Sequence, residues 1–273
     1  MKFHDTRTYQ GPLQAAIFDW AGTTVDFGCC APAVVFLEIF KRRGIEITIE
    51  QAREPMGRHK RDHIAAIAAM DPVAEKWASV HGARPDEADV SSMFEEFIPL
   101  QIATLSKYSD IIPGTVEAIA QLREKGLKIG STTGYNAEMM EVVVAEAKKQ
   151  GYAPDAMVCV SDVPAGRPAP WMALRNCERL GVFPMEAVVK VGDTVPDILE
   201  GLNAGMWTVG LTDTGNEMGL SLEEYQNADD ATKAAKRAKA AAKLSQAGAH
   251  YVVEGIESVP AVVDAINQRL KRG

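Results

Sequence analysis

Long apolar runs are missing from this chain of 273 residues. No segment approaches the roughly 20 apolar residues that a membrane-spanning helix needs. Residues Met1 to Arg7 lack the apolar centre of a signal peptide. An excess of positive charge is missing too. The formal net charge is −8, which argues against nucleic acid or an anionic membrane as partner. Cysteine is scarce. The four present are Cys29, Cys30, Cys159 and Cys177; they follow no zinc-ligand spacing, and neighbours such as Cys29 and Cys30 make a poor disulfide. These absences predict a reducing, cytoplasmic setting. No repeat is present, and the length suits one domain with a large insertion, or two domains.

What is present is a rhythm. Short apolar runs at Ala15–Phe18, Leu127–Ser131, Met157–Val160, Val188–Val191 and Met206–Gly210 alternate with amphipathic helical stretches. Those stretches include Thr115–Lys125, Ala137–Gln150, Pro168–Leu180 and Pro196–Ala204. Continuous apolar strands separated by helices predict an α/β fold with a parallel sheet. Between Phe27 and Lys107 the rhythm breaks into helical patterns without a strand. Gly44 reads as a helix stop, Thr48 to Gln51 as a capping box, Asp71-Pro72 as a helix start, and Arg84-Pro85-Asp86 as the approach to another helix. Residues 27–107 are therefore expected to form a helical cap inserted into a core made of 1–26 and 108–273, with Tyr108–Gly114 as the return linker. The Ala-rich stretch Ser221–Leu244, with acids first and bases later, predicts one surface helix matched to its dipole, or a docking site for a partner.

In a parallel sheet, ligands gather at the carboxyl ends of the strands, and the polar residues of the core fall there. Asp19 ends the first run. Ser131 to Tyr135 follow the second, Pro164 to Pro170 the third, and Gly192 to Asp197 the fourth. A carboxylate, a hydroxyl, a cation and a second carboxylate pair on one edge suit phosphoryl transfer through a phospho-aspartate. Asp19 would attack phosphorus, and Asp19 and Asp193 would hold Mg²⁺, a hard cation that prefers oxygen. Thr133 and Arg167 would bind the phosphoryl oxygens, and Asp197 would support the metal site through an outer hydrogen bond. One group is absent. A phosphate-ester hydrolase of this kind needs a second Asp two positions after the nucleophile, to protonate the leaving oxygen, and Ala21 stands there.

The expected cap offers a different device. Met56-Gly57 precedes Lys60 and His63, which share a face if a helix begins near Gly57. A lysine can form a Schiff base with a carbonyl compound once its pKa falls below the free value of about 10.4, and burial lowers it. His63 is placed to move a proton. When carbon leaves phosphorus, an acid does little for the carbanion, but an iminium beside that carbon accepts the electron pair. Ala21 and Lys60 thus predict one substrate class, a phosphonate with a β-carbonyl.

The ordered motifs, with a helical insertion after the first, resemble the haloacid dehalogenase superfamily of aspartate-nucleophile phosphotransferases over nearly the whole chain. The resemblance implies a Rossmann-like parallel-sheet core with an inserted cap. The usual first motif of that family is DxD, from which this chain departs at Ala21. Phe18 to Asp26, Pro55 to Gly57 with Lys60 and His63, Gly130 to Tyr135, Pro164 to Pro168 and Lys190 to Thr194 resemble the members that cleave carbon–phosphorus bonds. That narrower resemblance implies Asp19 as nucleophile, Lys60 as Schiff-base amine, and Mg²⁺ on Asp19, the Ala21 carbonyl and Asp193. It also implies that His63, Tyr135, Cys29 and Met56 line the reaction centre, that the ligand is a small phosphonate, and that the protein is a homodimer through its cap. Blander readings stand beside these: Cys29 and Met56 as packing, Tyr135 as a prop under the cap, His63 as an ordinary helix residue, Asp26 as a loop or cap carboxylate. The rival functions are a general phosphatase or phosphomutase of the same superfamily, which lacks its acid at position 21, and an inactive phosphate-binding relative. An inactive relative would be free to lose Asp19, Asp193 or Lys60.

Overall fold

The computed structural model describes residues 9–272. The chain enters through β1 (Ala15–Phe18), which is buried along its length. Five helices follow in the insertion: α1 (Cys30–Arg42), α2 (Ile49–Arg53), α3 (Lys60–Ala69), α4 (Asp71–His81) and α5 (Glu87–Leu105). Then come α6 (Thr115–Glu124), β2 (Lys128–Thr133), α7 (Ala137–Lys149), β3 (Ala156–Cys159), α8 (Trp171–Leu180), β4 (Val188–Gly192), α9 (Val195–Asn203) and β5 (Trp207–Leu211). The chain closes with α10 (Leu222–Asn227), α11 (Asp230–Gln246), β6 (Tyr251–Val253) and α12 (Val259–Leu270).

The six strands form one parallel sheet in the order β3-β2-β1-β4-β5-β6. β1 lies inside it, with Ala15 paired to Lys128 on one side and to Val188 on the other. Its side chains alternate between two cores, as a period of two requires. Ala16 and Phe18 join the larger cluster, which reaches Phe36 and Phe97 in the inserted helices. Ala15 and Ile17 join a smaller one with Ala173, Cys177 and Val188.

Helix boundaries follow the local chemistry. Asp26 accepts from the Cys30 and Ala31 N–H groups at 3.0 and 2.9 Å and so caps α1. Thr48 and Gln51 close the expected capping box, and Asp86 and Asp89 close another before α5. Gly44, with φ +75°, follows the end of α1.

The structure corrects four expectations. A sixth strand, β6, extends the edge; it is three residues long and half-exposed, too short for a periodic signal. The Ala-rich stretch is two helices, not one, because Ala228 is extended and Asp229 caps a new start through the Thr232 N–H. α8 starts at Trp171 rather than Pro168, since Pro168 and Pro170 disfavour helical backbone in the residues before them. α3 starts at Lys60 rather than near Gly57, because Gly57 holds φ +91° inside a turn. All four cysteines are free thiols, and among the described residues no helix is long and apolar enough to cross a membrane.

Candidate active site

The carboxyl edge of the sheet collects the polar residues. Asp19 follows β1, and its N–H donates to the Val191 carbonyl at 2.9 Å. The chain then turns at once, with the N–H groups of Thr23, Thr24 and Val25 all donating to the Trp20 carbonyl. Gly22 makes this turn possible. It holds φ +84°, and a Cβ there would lie 2.6 Å from an Asp193 carboxylate oxygen. The turn that carries Ala21 therefore packs directly on Asp193.

Asp193, just after β4, accepts from the Thr23 hydroxyl at 3.0 Å and from the Asn216 N–H at 2.8 Å. Asp197, in the first turn of α9, accepts from the Thr194 hydroxyl at 2.5 Å and pairs with Lys190 at 2.7 Å. Arg167 spends its three nitrogens on three carboxylates: Asp19 at 2.7 Å, Asp197 at 3.0 Å and Glu200 at 3.0 Å. It also donates to the carbonyl and hydroxyl of Thr132. Glu200 accepts from the Thr132 hydroxyl at 3.0 Å and lies 3.6 Å from Lys190.

Burial pushes the Asp19 carboxyl up, against the pull of Arg167. Burial, then the nearby Asp19 and Asp197 charges, raise Asp193 well above the usual carboxylate range. Burial also opposes ionisation of Asp197, but Arg167 and Lys190 prevail and hold it low. One oxygen from each of Asp19, Asp193 and Asp197 lies within 4.8 Å of the others, enough to hold a metal ion. The donors fit a hard divalent cation. Four buried carboxylates face two buried basic side chains here, and the surplus negative charge is what such a cation offsets.

The inserted helices supply the opposite wall. Asp19, Ala21, Cys29, Met56, Lys60, Thr133, Tyr135 and Arg167 line one cavity of about 20 Å³, room for about one water. Lys60 is 5% exposed. Its ammonium position lies 5.0 Å from the Tyr135 ring centroid and 5.7 Å from that of Phe36. Burial lowers its pKa to about 8, against the opposing pull of nearby Cys29 and Asp19. Gly57 allows the close approach, because a Cβ there would lie 2.4 Å from the Thr194 hydroxyl across the interface. Thr133 accepts from the Tyr135 N–H at 3.1 Å, which fixes the loop after β2.

Eight of the sequence-predicted residues thus share one cavity. Asp193 and Asp197 lie fully buried beneath it. His63 does not line it. Its ring stacks on Phe36 at 3.8 Å, and Nε2 donates to the Ala52 carbonyl at 2.8 Å. Burial, then the Lys60 charge, lowers its pKa well below the ordinary histidine value. Nδ1 has no partner among the described residues. Burial also pushes the Cys29 thiol and the Tyr135 phenol well above their usual values, so both are neutral. Asp26 is a helix cap, raised to about 7 by burial.

Sequence reasoning gave no role to Glu200, Lys190, Thr132, Thr23 or Asn216. Two signals were available. Lys190 interrupts an otherwise apolar buried strand, and Glu200 lies one helical turn beyond Asp197 on α9.

A buried aspartate after the first strand, an arginine-bound carboxylate cluster after the fourth and a helical insertion after the first define a class. The chain belongs to the haloacid dehalogenase-like hydrolases: the model of that family matches residues 13–205, and a second HAD-hydrolase-like model matches 164–254. The chain is 49% identical over 271 residues to a protein of Nitratidesulfovibrio vulgaris named phosphonoacetaldehyde hydrolase, covering 99% of this chain and 97% of that one. It is 48% identical over 266 residues to a Clostridioides difficile protein named bifunctional phosphonoacetaldehyde hydrolase/aminoethylphosphonate transaminase, covering 97% of this chain and 42% of that protein. Among solved structures, a phosphonoacetaldehyde hydrolase-like protein from Oleispira antarctica superposes with a TM-score of 0.96 at 41% identity, covering 100% of this chain and 99% of that one.

Proposed function

We propose that this protein hydrolyses the carbon–phosphorus bond of phosphonoacetaldehyde to acetaldehyde and phosphate, in the breakdown of 2-aminoethylphosphonate. Residues 27–107 act as a cap over the core formed by 1–26 and 108–273. The observation that carries this reading is Lys60, buried with a pKa of about 8 in the cavity of Asp19, with Ala21 where an ester hydrolase has its acid.

The neutral Lys60 amine attacks the aldehyde carbon, and loss of water gives an iminium. Asp19 then attacks phosphorus. The C–P electron pair moves onto carbon and is accepted by the iminium as an enamine, leaving phosphate on Asp19. Protonation of the enamine carbon restores an iminium, and water releases acetaldehyde and frees Lys60. A second water releases phosphate from Asp19. Arg167 and Thr133 bind the phosphoryl oxygens. Asp19, the Ala21 carbonyl and Asp193 would hold Mg²⁺, which when bound supplies positive charge against the carboxylates and phosphoryl oxygens. Asp197 holds Arg167 and Lys190 in place beneath. Tyr135 and Cys29, neutral donors in the cavity wall, assist proton movements, His63 supports the Phe36 ring from behind, and Met56 packs beside the reacting group. The relatives' names support the substrate, and the transaminase fusion supports the pathway. The four free thiols agree with a reducing cytoplasm. A homodimer through the cap belongs to the same proposal; its mass in solution checks it.

The test is borohydride reduction in the presence of phosphonoacetaldehyde. The expected result is a covalent adduct on Lys60 by peptide mass, with Mg²⁺-dependent phosphate release in the unreduced reaction. No adduct and no phosphate would overturn the assignment. Release from phosphate esters but not from the phosphonate would favour a general phosphatase.

A further inference from the structure

The loop after β5 touches both sides of the site. The Thr214 hydroxyl donates to the Gly22 carbonyl at 2.8 Å, so the loop grips the turn that follows Asp19. The Thr214 carbonyl accepts from the Gly28 N–H at 2.8 Å, so it grips the first linker as well. The Asn216 N–H carries an Asp193 carboxylate oxygen at 2.8 Å. The Asn216 side chain faces the other way, into the inserted helices. Its Nδ2 donates to the Arg53 carbonyl at 3.0 Å, and its Oδ1 accepts from an Arg53 guanidinium nitrogen at 3.3 Å. The same nitrogen of Arg53 donates to the Gly28 carbonyl at 2.5 Å.

Arg53 ends α2, three residues before Met56 and seven before Lys60. Arg53 and Asn216 both line a groove of about 350 Å³, and Asn216 lines a second of about 760 Å³. Asn216 is 4% exposed, so its amide groups depend on Arg53 for partners, and a buried amide left unpaired is costly.

We propose that Arg53 and Asn216 form a latch that holds Lys60 over Asp19 and ties closure of the cap to the orientation of Asp193. They are positioning residues: neither lines the reaction cavity. When the cap is docked, the Arg53 grip fixes the Asn216 backbone, and that backbone N–H aims the Asp193 carboxylate. When the cap lifts, the Asn216 side chain loses both partners and the loop that aims Asp193 is released. One contact thus sets two distances that the reaction needs together. The kinetic half of this inference rests on the proposed C–P hydrolysis; the closure half does not.

The experiment has two arms, both on the full-length Mg²⁺-loaded protein carrying Arg53→Ala, Asn216→Ala or both, with Arg53→Lys as the conservative variant. The first arm is amide hydrogen exchange without substrate. Each single change should raise exchange roughly ten-fold at residues 55–58 and 108–114, the scale of one lost charge-assisted hydrogen bond, and leave β1 and β4 unchanged. The second arm is turnover of phosphonoacetaldehyde. Each single change should lower kcat/KM by roughly ten-fold or more, the double variant should lose no more than the worse single, and Arg53→Lys should recover part of the loss. Unchanged exchange at 55–58, or losses that add in the double variant, would overturn the latch. If the unmutated protein releases no phosphate from phosphonoacetaldehyde, the proposed function fails while the exchange arm still decides the latch.

Discussion

The two walls of the cavity solve opposite problems. The core wall is saturated with charge. Arg167, Lys190, Asp193, Asp197 and Glu200 are tied to one another or to Thr23, Thr132, Thr194 and Asn216. The Lys60 side, built from the inserted helices and the Tyr135 loop that follows β2, is almost bare of polar contact. Lys60 faces the rings of Phe36 and Tyr135, Phe36 stacks on His63 and Phe97, and His63 Nδ1 and the Tyr135 hydroxyl have no partner among the described residues. Charged groups find opposite partners on the core side, and the Lys60 charge on the other is penalised by burial. In the proposed reaction, a nucleophilic carboxylate beside a cation site needs the first, and a lysine that must be neutral before it can react needs the second. One wall alone would suit ordinary phosphoryl transfer. The pair suits the proposed chemistry, in which an amine and a carboxylate act on one small molecule.

Removing the amine breaks the comparison most severely. Lys60→Arg keeps the positive charge but cannot form a Schiff base, so C–P cleavage should fall by about 10⁴-fold or more, read as phosphate release. Retained turnover would mean that the aromatic wall serves packing alone. Acidity comes next. Only the neutral amine reacts, and its fraction rises with pH up to about 8. kcat/KM should therefore climb to a plateau above that value and drop about ten-fold for each unit below it. A flat profile between pH 6 and 8 would dissociate the rate from Lys60.

Phe36→Ala sharpens the picture from the packing side. It removes a fully buried ring that touches both His63 and Phe97, and should cost about 3–5 kcal/mol of stability in denaturant titration. Water reaching Lys60 should also move the pH limb upward, toward the free lysine value. A limb that stays in place would assign the lowered lysine pKa to the core wall. Ala21→Asp should have the smallest effect. It adds a carboxylate beside a cluster already rich in them, so C–P cleavage should stay level or fall by a few-fold, roughly the scale of one unfavourable charge contact. A clear gain, measured as kcat on the phosphonate, would show that the leaving carbon wants an acid after all.

The core wall was largely legible in the sequence, and the inserted wall only in part. Asp19, Thr133, Arg167 and Asp193 announce themselves because buried parallel strands are apolar, so a polar residue just past the end of one stands out. Asp197 follows from the polar segment after β4, four residues beyond Asp193. Glu200 and Asn216 were missed for different reasons. Glu200 reads as the exposed side of α9 until Arg167, distant in sequence, is seen to need it. Asn216 sits in an irregular loop where no period applies, and its role depends on a contact with Arg53 across the cleft. Lys60 was legible only because Ala21 made its presence necessary. The Phe36 wall that tunes it draws on α1, α3 and α5 together, which no local pattern reveals. The Ala-rich stretch misled because propensity alone favours one helix, while Asp229 was free to cap a second.

The pairing of β1 also governs when the catalytic centre comes into being. Ala15 finds its neighbours at Lys128 and Val188, each over a hundred residues further along, while the five helices of the insertion emerge in between. Those helices pack chiefly on one another, α1 and α3 against α5, over shorter separations than the strands span, and can form early. The sheet must wait for distant partners, which is the slow part of building such a topology. In refolding, helical signal should therefore return before Asp19 is flanked on both sides, and activity should be the last property recovered. Asp19, the proposed nucleophile, precedes in the chain both strands that must flank it before it is in place.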